Sequence, residues 1–277
     1  MANIYWFVFT DLDGTLLDVD TYSFDLARES LQYLKNRDIP VIPCTSKTYT
    51  EVLEISKKCG LSGPLIVENG SAVFFRKDYF NIETGGTSFN DEYDVLELGK
   101  SYESIIKFLD KIKQRFGLTL KGFHEMTTDE IAHYTGFSKA DSEMAKTRLY
   151  SEPFVFLKSP GNLEDINDFA RTRGFRLLRG NRFYHLIGNT DKGIAVKKLI
   201  SLYRHQYSDE IFSTIGIGDS LNDRELLLAT DFAVLVKKKT GVHQTGIHHK
   251  NLLLTNSIGP AGWNEAIIKL IKLSPHD

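Results

Sequence analysis

Apolar residues run almost unbroken from Ile4 to Phe9 and stop at Asp11-Leu12-Asp13-Gly14. A short continuous apolar run closed by a turn signal predicts a strand buried on both faces, as in parallel sheets. From Phe24 to Asn36 the rhythm changes: Phe24, Leu26, Ala27, Leu31 and Leu34 fall close to helical spacing, and Ile39 to Cys44 is strand-like again. Pro40 and Pro43 cannot donate to a ladder, so this second strand must pair tolerantly or end near Pro43. Thr50 to Cys59 predicts a short helix closed by Gly60. Asn69-Gly70, between the apolar runs Leu65–Val67 and Ala72–Phe75, predicts a hairpin.

The pattern changes after about residue 83. Beyond Gly85-Gly86, strand-like pieces (Leu118–Phe123, Phe154–Leu157, Phe175–Leu178, Phe183–Ile187) mix with helices that open on capping boxes at Thr127/Glu130 and Ser138/Asp141. From Lys192 the first style returns: a helix through Tyr203, a buried strand Phe212–Ile217, a helix from about Asp223 to Ala229, strands Phe232–Val236 and Asn251–Leu254, and a closing helix Asn264–Leu273. The expectation is an α/β protein with a doubly wound, mostly parallel sheet (residues 1–84 and 188–277), interrupted by an α+β cap domain over residues 85–187.

Composition narrows the classes. At 42% apolar, the 277 residues suffice for a large core. With 34 basic against 36 acidic side chains, the net charge of −2 gives no field suited to a polyanion, so no nucleic-acid partner is expected. Two cysteines make no disulfide framework, and no run approaches a membrane span or a signal peptide, so a cytoplasmic protein without a membrane partner is expected. Nothing in the sequence decides the oligomeric state.

Asp11 and Asp13 sit at the carboxyl end of the first strand, where open α/β sheets place their ligands. A second Asp-x-Asp pair, Asp18/Asp20, lies in a polar connector, so position alone separates the two. Gly216-Ile217-Gly218-Asp219-Ser220-Leu221-Asn222-Asp223 again follows a buried strand, and its acids at i, i+4 offer the hard oxygen donors that Mg²⁺ takes. Between these lie Thr45, at the end of the second strand, and Lys192, opening a helix after the insert. Each is bland alone; the ordered set is not. The stretch His243 to His249 and the run Lys237-Lys238-Lys239 read as exposed loop and solvated turn.

The run Val8-Phe9-Thr10-Asp11-Leu12-Asp13-Gly14-Thr15, with Thr45, Asp191-Lys192-Gly193 and Gly218-Asp219-Ser220-Leu221-Asn222-Asp223, resembles the haloacid dehalogenase superfamily of aspartate-nucleophile phosphatases. The insert and Glu68-Asn69-Gly70 resemble its Cof-like branch with a type-2B cap. Thr45-Ser46-Lys47-Thr48, Ser151-Glu152-Pro153-Phe154, Arg182-Phe183-Tyr184-His185 and Gly259-Pro260-Ala261-Gly262-Trp263-Asn264-Glu265 resemble the mannosyl-3-phosphoglycerate phosphatases, whose motifs glucosyl-3-phosphoglycerate phosphatases share.

The resemblance implies a Mg²⁺ cofactor and a phosphorylated sugar-glycerate substrate. Asp11 would be nucleophile, Asp13 acid and base, Thr45 and Lys192 phosphoryl-group partners. Asp11, Asp219 and the backbone carbonyl of Asp13 would hold the metal, supported by Asn222 and Asp223. Asp13, near another carboxylate and away from the metal, is expected to hold its proton. Substrate contacts are expected from Ser46, Lys47, Glu68, Asn69, Arg148, Glu152, Arg182 and His185, with Arg148 first for the glycerate carboxylate because it is expected on the helix leading to Glu152-Pro153. A general sugar-phosphate phosphatase, a phosphomutase and a non-catalytic sensor are the rivals. The intact Asp11, Asp13, Thr45, Lys192 and Asp219 argue against the last.

Overall fold

The computed structural model describes residues 5–180, 182–208 and 210–273. Its central sheet is all parallel, in the order β13-β12-β11-β1-β2, built from β1 (Tyr5–Thr10), β2 (Val41–Pro43), β11 (Phe212–Gly218), β12 (Phe232–Lys237) and β13 (Leu252–Ile258). Alternation along β1 sends Phe7 and Phe9 to one face and Val8 to the other. Val8 packs in a cluster with Leu31 and Leu34 of α1 (Arg28–Lys35) and Trp263 and Ile267 of α9 (Gly259–Ile267). Phe7 and Phe9 pack with Leu199 and Tyr203 of α7 (Lys192–Gln206) and Leu226 of α8 (Arg224–Leu228). Helices on both faces are what continuous apolar strands require, and the doubly wound expectation holds.

β2 lies at the sheet edge, where two prolines are tolerated. Ile4, expected to open the first strand, lies outside the described residues. α2 (Tyr49–Cys59) starts at a full capping box, Thr48 with Glu51, and ends at Gly60 in a left-handed conformation. The last helix begins five residues before the expected Asn264, because Pro260 takes the first turn, where its missing N–H costs nothing. Ser138 caps Asp141 N, but Asp141 answers to the Ser138 hydroxyl rather than to its backbone, so of the two boxes expected in the insert the one at Thr127 is complete.

The Asn-Gly hairpin forms from β3 (Leu65–Val67) and β4 (Ala72–Arg76). β5 (Thr87–Ser88) and β6 (Tyr93–Glu97), expected in the insert, extend it into the sheet β3-β4-β6-β5. The following segment holds α3 (Tyr102–Phe116), β7 (Leu120–Gly122), α4 (Thr128–Thr135), α5 (Lys139–Lys146), β8 (Ser151–Phe156), α6 (Leu163–Arg171), β9 (Phe175–Arg179) and β10 (Tyr184–Gly188). Its antiparallel sheet, β7-β8-β10-β9, is backed on one face by α3 and α6 through Ile105, Phe108, Leu109 and Ile166. Among the described residues, no helix is long and apolar enough to cross a membrane.

Candidate active site

The carboxyl ends of β1, β2 and β11 meet α7 at a buried polar cluster. Asp11 follows β1 directly, its N–H fixed on the Ile217 carbonyl at 2.9 Å. Lys192, the first residue of α7, places Nζ 2.7 Å from Asp11 Oδ1 and 2.6 Å from Asp223 Oδ1. Asp223 uses its other oxygen to accept from Asp219 N, Ser220 N and Ser220 Oγ, at 2.9–3.1 Å. That closure requires Gly218, since a Cβ there would lie 2.4 Å from the Asp223 Cβ. Thr45 is buried, its hydroxyl accepting from Lys47 N and its carbonyl from Asn69 N.

Oxygens of Asp11, Asp219 and Asp223 lie within 4.8 Å of one another, with Lys192 the ammonium paired to two of them. Burial, and then the charge of Asp223, push Asp11 up to about 8 and Asp219 to about 7. Burial opposes the charge on Lys192, but Asp11 and Asp223 outweigh it and hold the ammonium above its ordinary value. With all three carboxylates ionised against one ammonium, two negative charges would stand uncompensated in a site largely shielded from water, which is why both acids hold their protons so high. A divalent cation is what such a donor set fits. Asp219 offers it a carboxylate with no hydrogen-bond partner among the described residues, and Asp11 offers Oδ2, held only by a long bond from the Thr15 hydroxyl at 3.4 Å. Both Asp223 oxygens are engaged in fixing Lys192 and the Asp219 loop, and Asn222 donates Nδ2 to Asn69 Oδ1 at 2.9 Å.

Asp13 meets a cation as well as the expected carboxylate. Lys47 Nζ lies 3.0 Å from its Oδ2, while Oδ1 is buried without a hydrogen-bond partner; the charge of Asp13 is also one of those that raise Asp219. Burial opposes charge on Lys47, yet Asp13 and Glu51 keep its ammonium above the ordinary value. The ammonium also lies 5.2 Å from the Tyr22 ring and 5.1 Å from Phe137, a flanking pair that no sequence motif announced.

A cleft of about 480 Å³ opens from this cluster toward the antiparallel sheet. Of the expected substrate residues, it is lined by Ser46, Lys47, Asn69, Arg148, Arg182 and His185, and Arg179 joins them. Glu68 and Glu152 do not reach it. On β8 the period-two alternation puts Pro153, paired with His185, on the cleft face and Glu152, paired with Leu186, on the other, where it accepts from Tyr102 Oη and from His124 N and Nδ1. Glu68 turns toward the chain before β8, accepting from Leu149 N (2.9 Å), Tyr150 N (3.1 Å) and Ser151 Oγ (2.6 Å). Arg148 lies past the end of α5 rather than on it. Its Nε donates to the Ala145 carbonyl at 2.9 Å and its Nη1 to the Ser46 carbonyl at 2.7 Å. Arg182 is exposed and donates to the Thr135 carbonyl. Burial drives His185 down to about 3, so it is a neutral imidazole with Nδ1 unpartnered.

Residues 8–241 match the family model of the haloacid dehalogenase-like hydrolases. The chain belongs to that family. A relative from Persephonella marina, named glucosyl-3-phosphoglycerate/mannosyl-3-phosphoglycerate phosphatase, is 40% identical over 95% of this chain and 96% of its own. A relative of the same name from Methanococcoides burtonii is 38% identical over 95% and 96%. The mannosyl-3-phosphoglycerate phosphatase of Pyrococcus furiosus is 37% identical over 83% and 90%. Among solved structures, a Thermoplasma acidophilum protein superposes with a TM-score of 0.67 at 20% identity, covering 98% of this chain and 100% of that one. A HAD subclass IIB sugar phosphatase gives 0.63 at 14% identity, covering 95% and 97%.

Proposed function

We propose that this phosphoric monoester hydrolase uses Mg²⁺ to release phosphate from a glycosyl-3-phosphoglycerate, mannosyl-3-phosphoglycerate first, leaving the glycosylglycerate. The observation that carries the reading is the cleft: one end is lined by Asp11, Asp13 and Asp219, with Lys192 paired to Asp11 behind them, and its wall presents Arg148, Arg179 and Arg182 to a second anionic group. A plain sugar phosphate has one anion; a phosphoglycerate adds a carboxylate. The names of the 37–40% identical relatives support the same choice.

The metal, held by the carboxylates of Asp11 and Asp219 and the backbone carbonyl of Asp13, would screen the phosphoryl oxygens from the attacking carboxylate. Asp11 attacks phosphorus through one carboxylate oxygen and becomes an aspartyl phosphate as the ester P–O bond breaks. Lys192 orients Asp11 and neutralises charge on the transferring group, and the Thr45 hydroxyl would bond a phosphoryl oxygen. Asp13 hands its proton to the leaving glycerate oxygen, then takes one from the water that attacks phosphorus and frees Asp11. The loop after β1 carries Asp11 and Asp13 two residues apart, which lets one acid serve both half-reactions. Asn222 orients Asn69, and Asp223 orients Lys192. We assign residues 1–84 and 188–277 to the catalytic core and 85–187 to the specificity segment, with β5 and β6 attached to the core side of that boundary.

Phosphate release should be measured across mannosyl- and glucosyl-3-phosphoglycerate, a carboxylate-free sugar phosphate and nitrophenyl phosphate, with Asp11→Asn as the inactive control. The glycosyl phosphoglycerates should lead in kcat/KM by at least about tenfold, since a single desolvated charge pair is worth that much. Equal values across the panel would refute the substrate assignment. Turnover in Asp11→Asn within about tenfold of the parent would refute the covalent route.

A further inference from the structure

We propose that Glu68 is a positioning residue: it fastens the segment that carries Arg148 to the catalytic core, so that the cation facing the substrate's second anion stays at a set distance from the Asp11 centre. The inference rests on the phosphoglycerate reading above and concerns what sets its specificity.

Arg148 lies in the specificity segment by sequence but is held by the core. Ser46, next to Thr45, accepts from its Nη1 at 2.7 Å. Thr48 donates its hydroxyl to the Met144 carbonyl at 3.0 Å, and Thr147 and Thr50 join hydroxyls at 3.2 Å. Just beyond Arg148, the N–H groups of Leu149 and Tyr150 and the Ser151 hydroxyl converge on the Glu68 carboxylate, and Tyr150 Oη donates to Glu97 at 2.7 Å. Glu68 is fully buried. Without its carboxylate, two backbone donors and a hydroxyl would be left shut from water, each costing far more than an exposed bond is worth.

The backbone is bent to make this reach possible. Glu68 (φ +46°) and Asn69 (φ +61°) are successive non-glycine residues in the left-handed region, a conformation that persists only where surroundings enforce it. Glu68 N donates to the Lys47 carbonyl and Asn69 N to the Thr45 carbonyl, so the strained turn is anchored to the residues beside the nucleophile. Its two side chains then diverge, Asn69 to Asn222 near the metal-binding acids and Glu68 to the Arg148 segment. One turn thereby fixes the distance between the phosphoryl centre and Arg148, which lines the cleft and whose Nη2 has only a long ion pair with Glu51, at 4.0 Å, to exchange for the substrate's second anion.

The test compares the specificity ratio, kcat/KM for mannosyl-3-phosphoglycerate over that for nitrophenyl phosphate, in the parent and in Glu68→Ala. A misplacement of about 1 Å costs up to ~10²-fold, so the ratio should fall by about 10- to 100-fold, chiefly through KM for the phosphoglycerate. Glu68→Gln, which keeps one acceptor, should recover part of the loss. Glu68→Ala on an Arg148→Ala background should add less than about threefold to the fall, since Glu68 acts through Arg148. Hydrogen exchange at the Leu149 and Tyr150 amides should accelerate in Glu68→Ala.

Should the alanine variant fail to fold, Glu68→Asp, whose shorter arm withdraws the carboxylate from the Leu149 and Tyr150 amides while leaving in place the Ser151 hydroxyl that Arg148 Nη1 reaches at 3.4 Å, must lower the ratio by at least about threefold. An unchanged ratio, an equal loss for both substrates, full additivity with Arg148→Ala, or unchanged exchange at the two amides would each overturn the role of Glu68. A parent enzyme with no preference for the phosphoglycerate would overturn the substrate reading instead, and the exchange measurement then still decides whether Glu68 fastens the segment.

Discussion

Replacing Asp219 by asparagine should make the metal-free protein more stable while disabling it. Asp219 is nine-tenths buried, and burial followed by the charge of Asp223 raises it from 3.8 to about 7. The sign follows from linkage. Below pH 3.8 both folded and unfolded chains carry the proton and nothing is lost. As pH rises toward 7 the unfolded chain releases it while the folded chain retains it, so stability falls, and the penalty is complete above 7. At about 1.4 kcal/mol for each tenfold change in proton affinity, the displacement amounts to roughly 4 kcal/mol at pH 8 and roughly 2 kcal/mol at pH 5.

The amide keeps the shape of the side chain and carries no charge to bury. Asp219→Asn should therefore raise the Tm of chelator-treated protein by on the order of 10 °C at pH 8 and about half that at pH 5. Saturating Mg²⁺ should raise the parent's Tm and move the variant's much less, because the variant offers one carboxylate fewer and has less charge to neutralise. Calorimetry at both pH values, with and without the ion, reads all four cases. A metal-free variant no more stable than the parent at pH 8, or a gain that does not shrink toward pH 5, would refute the account of the site as a cluster carrying excess negative charge.

Asp13→Asn should slow an alkyl phosphate by at least about 10²-fold and nitrophenyl phosphate by far less, because only the alkoxide depends on a donated proton; steady-state phosphate release on both substrates checks it, and equal losses would mean that Asp13 only anchors Lys47. His185, lowered from 6.5 to about 3, is held neutral by burial and then by Arg148 and Lys192. Its contribution to stability is complete above about pH 6.5 and is lost as pH falls toward 3, at about 1.4 kcal/mol per pH unit. Denaturation of His185→Phe at pH 7, 6 and 5 should show the parent losing stability relative to the variant by about that slope, and parallel curves would refute it.

Much of the proposed catalytic centre was legible in the sequence because each part sits where a local signal ends. An apolar strand stops at Asp11, another at Gly218-Asp219, and a helix opens at Lys192, and parallel strands of one sheet deliver those ends to one edge. The alternation of apolar and polar runs likewise determined the doubly wound core, since strands apolar on both faces need a helical layer on each side. The sequence could not say what faced each side chain across long separations. Glu68 and Glu152 have the polarity of substrate ligands, yet one is 83 residues from its hydroxyl partner, Ser151, and the other is turned from the cleft by one step of strand register. Lys47 reaches Asp13, and Asn222 reaches Asn69 rather than standing free as a ligand, only because separate loops converge at the sheet edge. Local spacing determines which chemistry a chain carries. Burial and long-range pairing, which no window of sequence contains, decide which of those groups meet the substrate and which hold the others in place.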